Sequence, residues 1–385
     1  IYMKRFLIFL LLSFLVTTSI LTNAQSTESD VLPDVCDLTN SQPQNRFYQR
    51  GVAPDDTTDD EAFWSYATMS DQRINANIIS EGLAQLGESP TRQAFLLIRN
   101  GQIVYEEYFN GSSATDSNNV ASVSKSMISA LIGIAMNQGY ITSAEDPIAM
   151  YLPDYFEDIS DPQTRSLTIR DLLTMTQGWA WTENVSDRAL NRSDDWVRDI
   201  LALPIVDEPG TVFNYSTGAS HVLSAVLTEA TGMSTCEYAH KYLFEPMGVE
   251  AEFWGVDPQG YFTGGHSVSL TAREIAKFGM LYLNEGNWFG EQLVPGWWVV
   301  ASTTPRIDIG NNYAGYGYYW WLNRIRGYDM FSALGAGGQL LHVIPELDIV
   351  LVITHSQRGN RRDFAEEAES YDFIRNYLLP AIETP

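Results

Sequence analysis

The stretch Ala121-Ser122-Val123-Ser124-Lys125-Ser126-Met127 opens an apolar run, Met127 to Met136, that reads as a buried helix. A lysine at the head of such a run is unusual, because lysine is rarely buried without a task. Ser122 and Lys125 stand at i and i+3, so a helix puts both side chains on one face, close enough to share a proton. A serine hydroxyl is a poor nucleophile until a neighbouring base takes its proton. A lysine serves as that base when burial keeps it neutral. The chain has four lysines (Lys4, Lys125, Lys241 and Lys277), and only Lys125 has a serine three residues before it. The plain alternative is a solvated Ser/Lys helix start.

A chain of 385 residues suffices for one large domain or two smaller ones, and 45% hydrophobic with 12% aromatic residues supplies a sizeable core. The formal charge of -25 repels nucleic acid and anionic membrane, so neither is expected as a partner. Residues 1–24 read as an export signal: Met3-Lys4-Arg5, the apolar run Phe6 to Val16, and the small-residue site Thr22-Asn23-Ala24. The two residues before Met3 read as an upstream extension of the frame. A membrane anchor is the competing reading, although the run is short for a span. Gln25 leaves no cysteine at the cleavage point for a lipid anchor. A periplasmic or secreted protein without a stable membrane anchor is expected. In that compartment Cys36 and Cys236 form one disulfide, with two separate thiols as the alternative. The five histidines show no HExxH or paired spacing, so neither metal nor cofactor is indicated.

Residues 25–65 are acidic and rich in Ser, Asp, Pro and Thr, an extended lead-in to a domain over 66–385. Helical spacing covers Ile74 to Leu86. Ala94–Arg99 and Gln102–Phe109 flank Asn100-Gly101, the strongest short hairpin signal. Helices are expected over Thr168–Met175, Asp194–Leu203, Gly218–Ala230, Ser234–Phe244 and Ala272–Asn284, and a last one over Tyr371–Leu379. Strands return at Tyr316–Asn323, Gln339–Ile344 and Ile349–Thr354. Strands at both ends with helices between give an α+β fold. One antiparallel sheet is assembled from the N- and C-terminal segments, flanked by helices, with a mostly helical insertion over about residues 140–260.

Two further segments carry candidate chemistry. In Asn214-Tyr215-Ser216-Thr217, after Pro209-Gly210, a loop tyrosine both donates and accepts and so passes a proton between serine, lysine and leaving group. Leu334-Gly335-Ala336-Gly337-Gly338-Gln339 leads into a strand whose edge N–H, with that of Ser122, makes a candidate oxyanion hole. No G-x-S-x-G occurs, so the nucleophile elbow of the α/β-hydrolases is absent. Trp179, Trp181, Tyr318, Tyr319, Trp320 and Trp321 are candidates to line an apolar cleft, Trp181 and Trp320 foremost. His266, after Gly264-Gly265, is a candidate pocket residue.

In order and type these segments resemble the penicillin-recognising serine hydrolases, specifically the class C-like β-lactamase-related family that includes esterases and 6-aminohexanoate-dimer hydrolases. The resemblance spans roughly residues 70–380. It rests on Ser122-Val123-Ser124-Lys125, Tyr215-Ser216-Thr217 and Ala336-Gly337-Gly338, with Leu167–Gly178 and Ser269–Glu274 as structural stretches. It implies Ser122 as acylated nucleophile, Lys125 as its base, Tyr215 as proton relay, and the backbone N–H groups of Ser122 and Gln339 as oxyanion hole. Beside these implied roles, Ala336, Gly337, Gly338, Trp181, His266 and Trp320 are candidates for substrate binding. Two positions depart from the family pattern: Thr217 where Asn is usual, and Ala336 where Lys or His is usual. The missing cation removes a partner for a substrate carboxylate and leans toward small esters or amides. A β-lactamase or D,D-carboxypeptidase is the alternative, and a non-catalytic binding protein with this fold a more distant one.

Overall fold

The computed structural model describes residues 33–38, 63–87, 89–310, 313–356 and 365–384. The expected export signal over 1–24 lies outside them, as does most of the lead-in. The larger compact unit is Pro33–Pro385.

A seven-stranded sheet organises this unit. Its strands are β1 (Arg92–Arg99), β2 (Gln102–Tyr108), β3 (Gly315–Tyr316), β4 (Trp321–Ile325), β5 (Tyr328–Gly335), β6 (Gln339–Ile344) and β7 (Ile349–His355). They lie in the order β2-β1-β7-β6-β5-β4-β3, antiparallel throughout. The β1–β2 hairpin turns at Asn100 (φ 50°) and Gly101 (φ 74°), the left-handed pair that matches strand twist. The β1–β7 pairing, with Leu97 opposite Leu351, joins the N-terminal and C-terminal segments into one sheet.

Both faces of the sheet are covered, and the period of two along β1 sorts its side chains between them. Leu96 and Ile98 join Leu341, Val350 and Val352 in the larger core, with Ile275 and Phe278 from helix α4 (Ala272–Leu283). Phe95 and Leu97 face the other way, onto Ile79 of α1 (Ala76–Leu86) and Phe373 of α5 (Ala365–Phe373). The remaining long helices, α2 (Val123–Gln138) and α3 (Thr217–Thr231), pack against each other, and α2 also lies on β5 and β6. The strands of the large sheet come from residues 92–108 and 315–355, and the helices Ile169–Leu173, Trp196–Leu201 and Thr235–Ala239 fall in the stretch between.

Three sequence expectations need correction. The aromatic run Tyr316–Asn323 is not one strand: Gly317 N–H donates to Trp320 O (2.8 Å) and Tyr319 adopts φ 64°, so the run folds back between β3 and β4. Strand β5 was not expected. Its turn is Arg326 (φ 51°) and Gly327 (φ 96°), a hairpin pair less recognisable than Asn-Gly. The last helix is longer than expected, continuing from Ala365–Phe373 through a wider turn, Ile374–Leu378, to Leu379–Glu383. Cys36 and Cys236 are disulfide-bonded, with Cα atoms 5.4 Å apart. Among the described residues no helix is long and apolar enough to cross a membrane.

Candidate active site

The chain enters α2 through a tight turn. Val120 N–H donates to Val268 O (2.8 Å), tying this turn to the three-residue strand Val268–Leu270. Ala121 then takes φ 48°, a left-handed conformation that costs a non-glycine residue about 1–3 kcal/mol. The Asn119 side chain holds it there by accepting the Ala121 N–H (2.8 Å). The turn leaves Ser122, half-buried, at the head of α2. Gly335, at the end of β5, makes this possible from the other side. A Cβ there would lie 2.4 Å from the Val120 carbonyl oxygen and 3.2 Å from the Ala121 Cβ. Gly335 pairs with Gln339, so the Gly-rich segment is brought against the Ser122 turn.

One helical turn further on, Lys125 is 1% exposed. Its Nζ donates to Ser122 Oγ (2.9 Å), Thr217 Oγ1 (3.1 Å) and the Gly265 carbonyl (2.9 Å). Gly265 allows that approach, since a Cβ on it would stand 2.5 Å from Ser220 Oγ and 3.0 Å from Lys125 Nζ. The Lys125 ammonium position also lies 5.0 Å from the centre of the Tyr215 ring. Tyr215 arrives from a loop fixed by Asn214, whose N–H donates to Met175 O (2.7 Å) and whose side chain donates to Trp181 O (3.0 Å). Ser216 caps α3 by accepting the Ala219 N–H, which sets Thr217 at the first turn of that helix. Burial holds the Tyr316 and Tyr319 hydroxyls, near Tyr215, well above the ordinary phenol range.

The third segment is the β5–β6 turn. Ala336 is exposed, while Gly337 (φ 78°) and Gly338 (φ 82°) are left-handed. A Cβ on Gly338 would fall 2.7 Å from the His355 ring. The Gln339 side chain is buried and donates to the His355 carbonyl.

The remaining sequence candidates fall in different places. Trp320 is 0% exposed and packs on Tyr282, Phe331 and Phe278, with ring centroids 4.6, 5.0 and 5.9 Å away. It is a core residue and lines no cleft, because the chain folds back at 317–320 and turns its ring inward. Trp179, Tyr318 and Tyr319 are buried as well. The neighbour of Tyr215 is Trp321, half-buried and stacked on it at 5.7 Å. Trp181 is buried against Gly218. His266 is half-buried beside the Gly265 carbonyl that receives Lys125, its Nδ1 2.7 Å from Ser267 Oγ and its Nε2 3.7 Å from Asp187 Oδ1. Among the described residues no cluster of His, Cys, Asp and Glu is arranged to hold a metal.

Sequence reasoning missed Glu183. Its Oε1 accepts the Thr217 hydroxyl (2.7 Å), and its Oε2 accepts the Thr217 N–H (3.0 Å) and the Trp181 Nε1–H (2.7 Å). No local motif announces this residue, because the partner is 34 positions away.

The sequence profile of the beta-lactamase family matches residues 89–374. A 6-aminohexanoate-dimer hydrolase of Paenarthrobacter ureafaciens is 25% identical over 295 residues, covering 70% of this chain and 74% of that protein. Among solved structures, a Bacillus anthracis protein provisionally assigned as a 6-aminohexanoate-dimer hydrolase superposes with a TM-score of 0.67 at 21% identity, over 83% of this chain and 87% of that one. An octameric penicillin-binding protein homologue of Pyrococcus abyssi gives a TM-score of 0.58 at 17% identity, over 77% and 75%.

Proposed function

The chain belongs to the beta-lactamase family of serine hydrolases, and from that premise we propose that it cleaves small carboxylic esters or amides through an acyl-enzyme on Ser122. The observation that carries this reading is the 2.9 Å contact between Lys125 Nζ and Ser122 Oγ, with the lysine buried. In its neutral form Lys125 takes the hydroxyl proton as Ser122 Oγ attacks the substrate carbonyl. The backbone N–H groups of Ser122 and Gln339 stabilise the tetrahedral oxyanion. Tyr215 passes a proton to the leaving alcohol or amine, and the same groups activate the water that releases the acid. No cofactor enters.

Ala336 favours neutral substrates over β-lactams. It is exposed, without charge, at the turn where a cation would meet a substrate carboxylate. The arginines nearest in sequence are engaged elsewhere: Arg324 pairs with Asp329 and Arg326 with Glu383. The disulfide supports an oxidising compartment, consistent with export.

The test is a substrate panel: p-nitrophenyl acetate to octanoate, nitrocefin, and a linear 6-aminohexanoate dimer, each with wild type and Ser122→Ala. Ser122-dependent turnover of esters or the dimer, well above that of nitrocefin, supports the reading. Nitrocefin turnover at the ester rate supports a β-lactamase instead, and Ser122-independent turnover removes the assigned nucleophile.

A further inference from the structure

We propose that Glu183 is a positioning residue which, acting through Thr217, aims the lone pair of neutral Lys125 at Ser122. The inference rests on the reading of Ser122 as nucleophile and Lys125 as its base.

A carboxylate can only accept hydrogen bonds, so the Thr217 hydroxyl proton, 2.7 Å from Glu183 Oε1, is committed to Glu183. Toward Lys125, 3.1 Å away, Thr217 Oγ1 therefore offers only a lone pair. The Gly265 carbonyl, 2.9 Å from Nζ, likewise offers only lone pairs. A neutral lysine has two N–H bonds and one lone pair. Two acceptor-only neighbours take both N–H bonds, which leaves the lone pair on the side of Ser122 Oγ, 2.9 Å away. That is the orientation in which it removes the serine proton. Were the Thr217 hydroxyl free to turn, it would donate to the lysine lone pair and occupy the base.

Glutamine at 183 would undo this arrangement. Thr217 N–H and Trp181 Nε1–H can only donate, and both point at the Oε2 position. Glutamine must turn its one oxygen to them, which places its NH2 against Thr217 Oγ1. The threonine proton is then released from its acceptor. The volume at 183 is unchanged, so the substitution alters proton direction with little change in packing.

The experiment measures labelling of Ser122 by an alkyl fluorophosphonate, followed by intact mass. The serine Oγ–P bond forms as the P–F bond breaks, fluoride leaves, and the serine proton passes to Lys125. No natural substrate is needed. Rates are taken up to the high-pH plateau, where Lys125 is neutral in every variant, so that a changed lysine charge is separated from a changed orientation.

The plateau rate is expected to fall about 10- to 100-fold in Glu183→Gln, the range for one misdirected charge-assisted hydrogen bond. Thr217→Val should fall similarly, and the double variant no further than Thr217→Val alone. Thr217→Ser, which keeps the hydroxyl, should stay within a few-fold of wild type, and thermal midpoints should shift little. A wild-type plateau rate in Glu183→Gln overturns the inference. So does a Glu183→Gln loss that persists in the Thr217→Val background, which would mean that Glu183 acts by another route. Wild-type Ser122 that fails to label overturns both the inference and the functional reading. Labelling that depends on Lys125 and Glu183 without turnover of any ester or amide upholds the inference and overturns the substrate assignment alone.

Discussion

At the scale of single residues, the site joins a nucleophile and base three positions apart to partners 92 and 140 residues further along. The local pair is legible in sequence because helix geometry fixes it, whereas the Thr217 and Gly265 contacts depend on how α3 and a Gly-Gly turn pack. Ser122→Ala and Lys125→Ala should each lower the acylation rate by at least 100-fold, since each removes a participant in the same proton transfer. Rapid-quench mass spectrometry with p-nitrophenyl butyrate checks this, and near-native acylation in Lys125→Ala would exclude it as base. Ala336 provides a second prediction. A cation at this turn would contribute a charge-assisted hydrogen bond to a β-lactam carboxylate, worth about 1.5–3 kcal/mol, or about 10- to 150-fold in rate. Ala336→Lys should therefore raise kcat/KM for nitrocefin relative to p-nitrophenyl butyrate by about that factor. An unchanged ratio would mean that the turn does not meet the carboxylate.

At the scale of elements, β5 fixes the position of the nucleophile through one residue without a side chain. Gly335→Ala would drive a Cβ to 2.4 Å from the Val120 carbonyl oxygen, displacing the turn that presents Ser122. Overpacking of this kind costs about 1–3 kcal/mol, and a displaced nucleophile loses about 100-fold in rate. Gly335→Ala is expected to label with fluorophosphonate far more slowly while remaining folded by circular dichroism. Undiminished labelling would show that the turn has room to yield. The same strand marks where the sequence was opaque. The Asn100-Gly101 hairpin declares itself because that pair suits left-handed φ at both central positions. Arg326-Gly327 makes an equivalent turn with a residue that carries no such signal, and so β5 went unseen. Trp320, a cleft candidate by sequence, lies in the core for a related reason. Alternation along an aromatic strand puts every second ring on one face, but the fold-back around Tyr319 sends Trp320 into the core and leaves Trp321 beside Tyr215. Thr168 with Asp171 and Thr271 with Glu274 each form a reciprocal capping box at the start of their helices.

At the scale of the whole molecule, the buried histidines of the sheet make stability depend on pH, and the disulfide adds to it at every pH. Burial lowers the His342 imidazole to about 3, between Ser332 Oγ and Ser370 Oγ, and lowers His355 to about 4, with Arg92 adding to the effect. A folded-state value below the unfolded one means that the unfolded chain binds more protons at intermediate pH. Stability is then complete above about 6.5 and is lost as pH falls through that value toward 4 and 3. The melting midpoint should decline steadily between pH 7 and 4.5, with a shallower slope in His342→Asn, and equal slopes would remove His342 as the cause. The disulfide acts at every pH. It ties Cys36, in the short stretch 33–38, to Cys236 on the Thr235–Ala239 helix, a separation of 200 residues. Loop-closure entropy over that length corresponds to roughly 5 kcal/mol of destabilisation of the unfolded chain. Neither cysteine belongs to the groups around Ser122, so the bond should matter for unfolding and little for chemistry. The double variant Cys36→Ser/Cys236→Ser is expected to lose several kcal/mol in urea unfolding, yet to label with fluorophosphonate at the wild-type rate at 15 °C. The wild-type protein, denatured without reductant, should show no titratable thiol. Two titratable thiols would rule out the bond, and unchanged urea stability in the double variant would show that it constrains nothing.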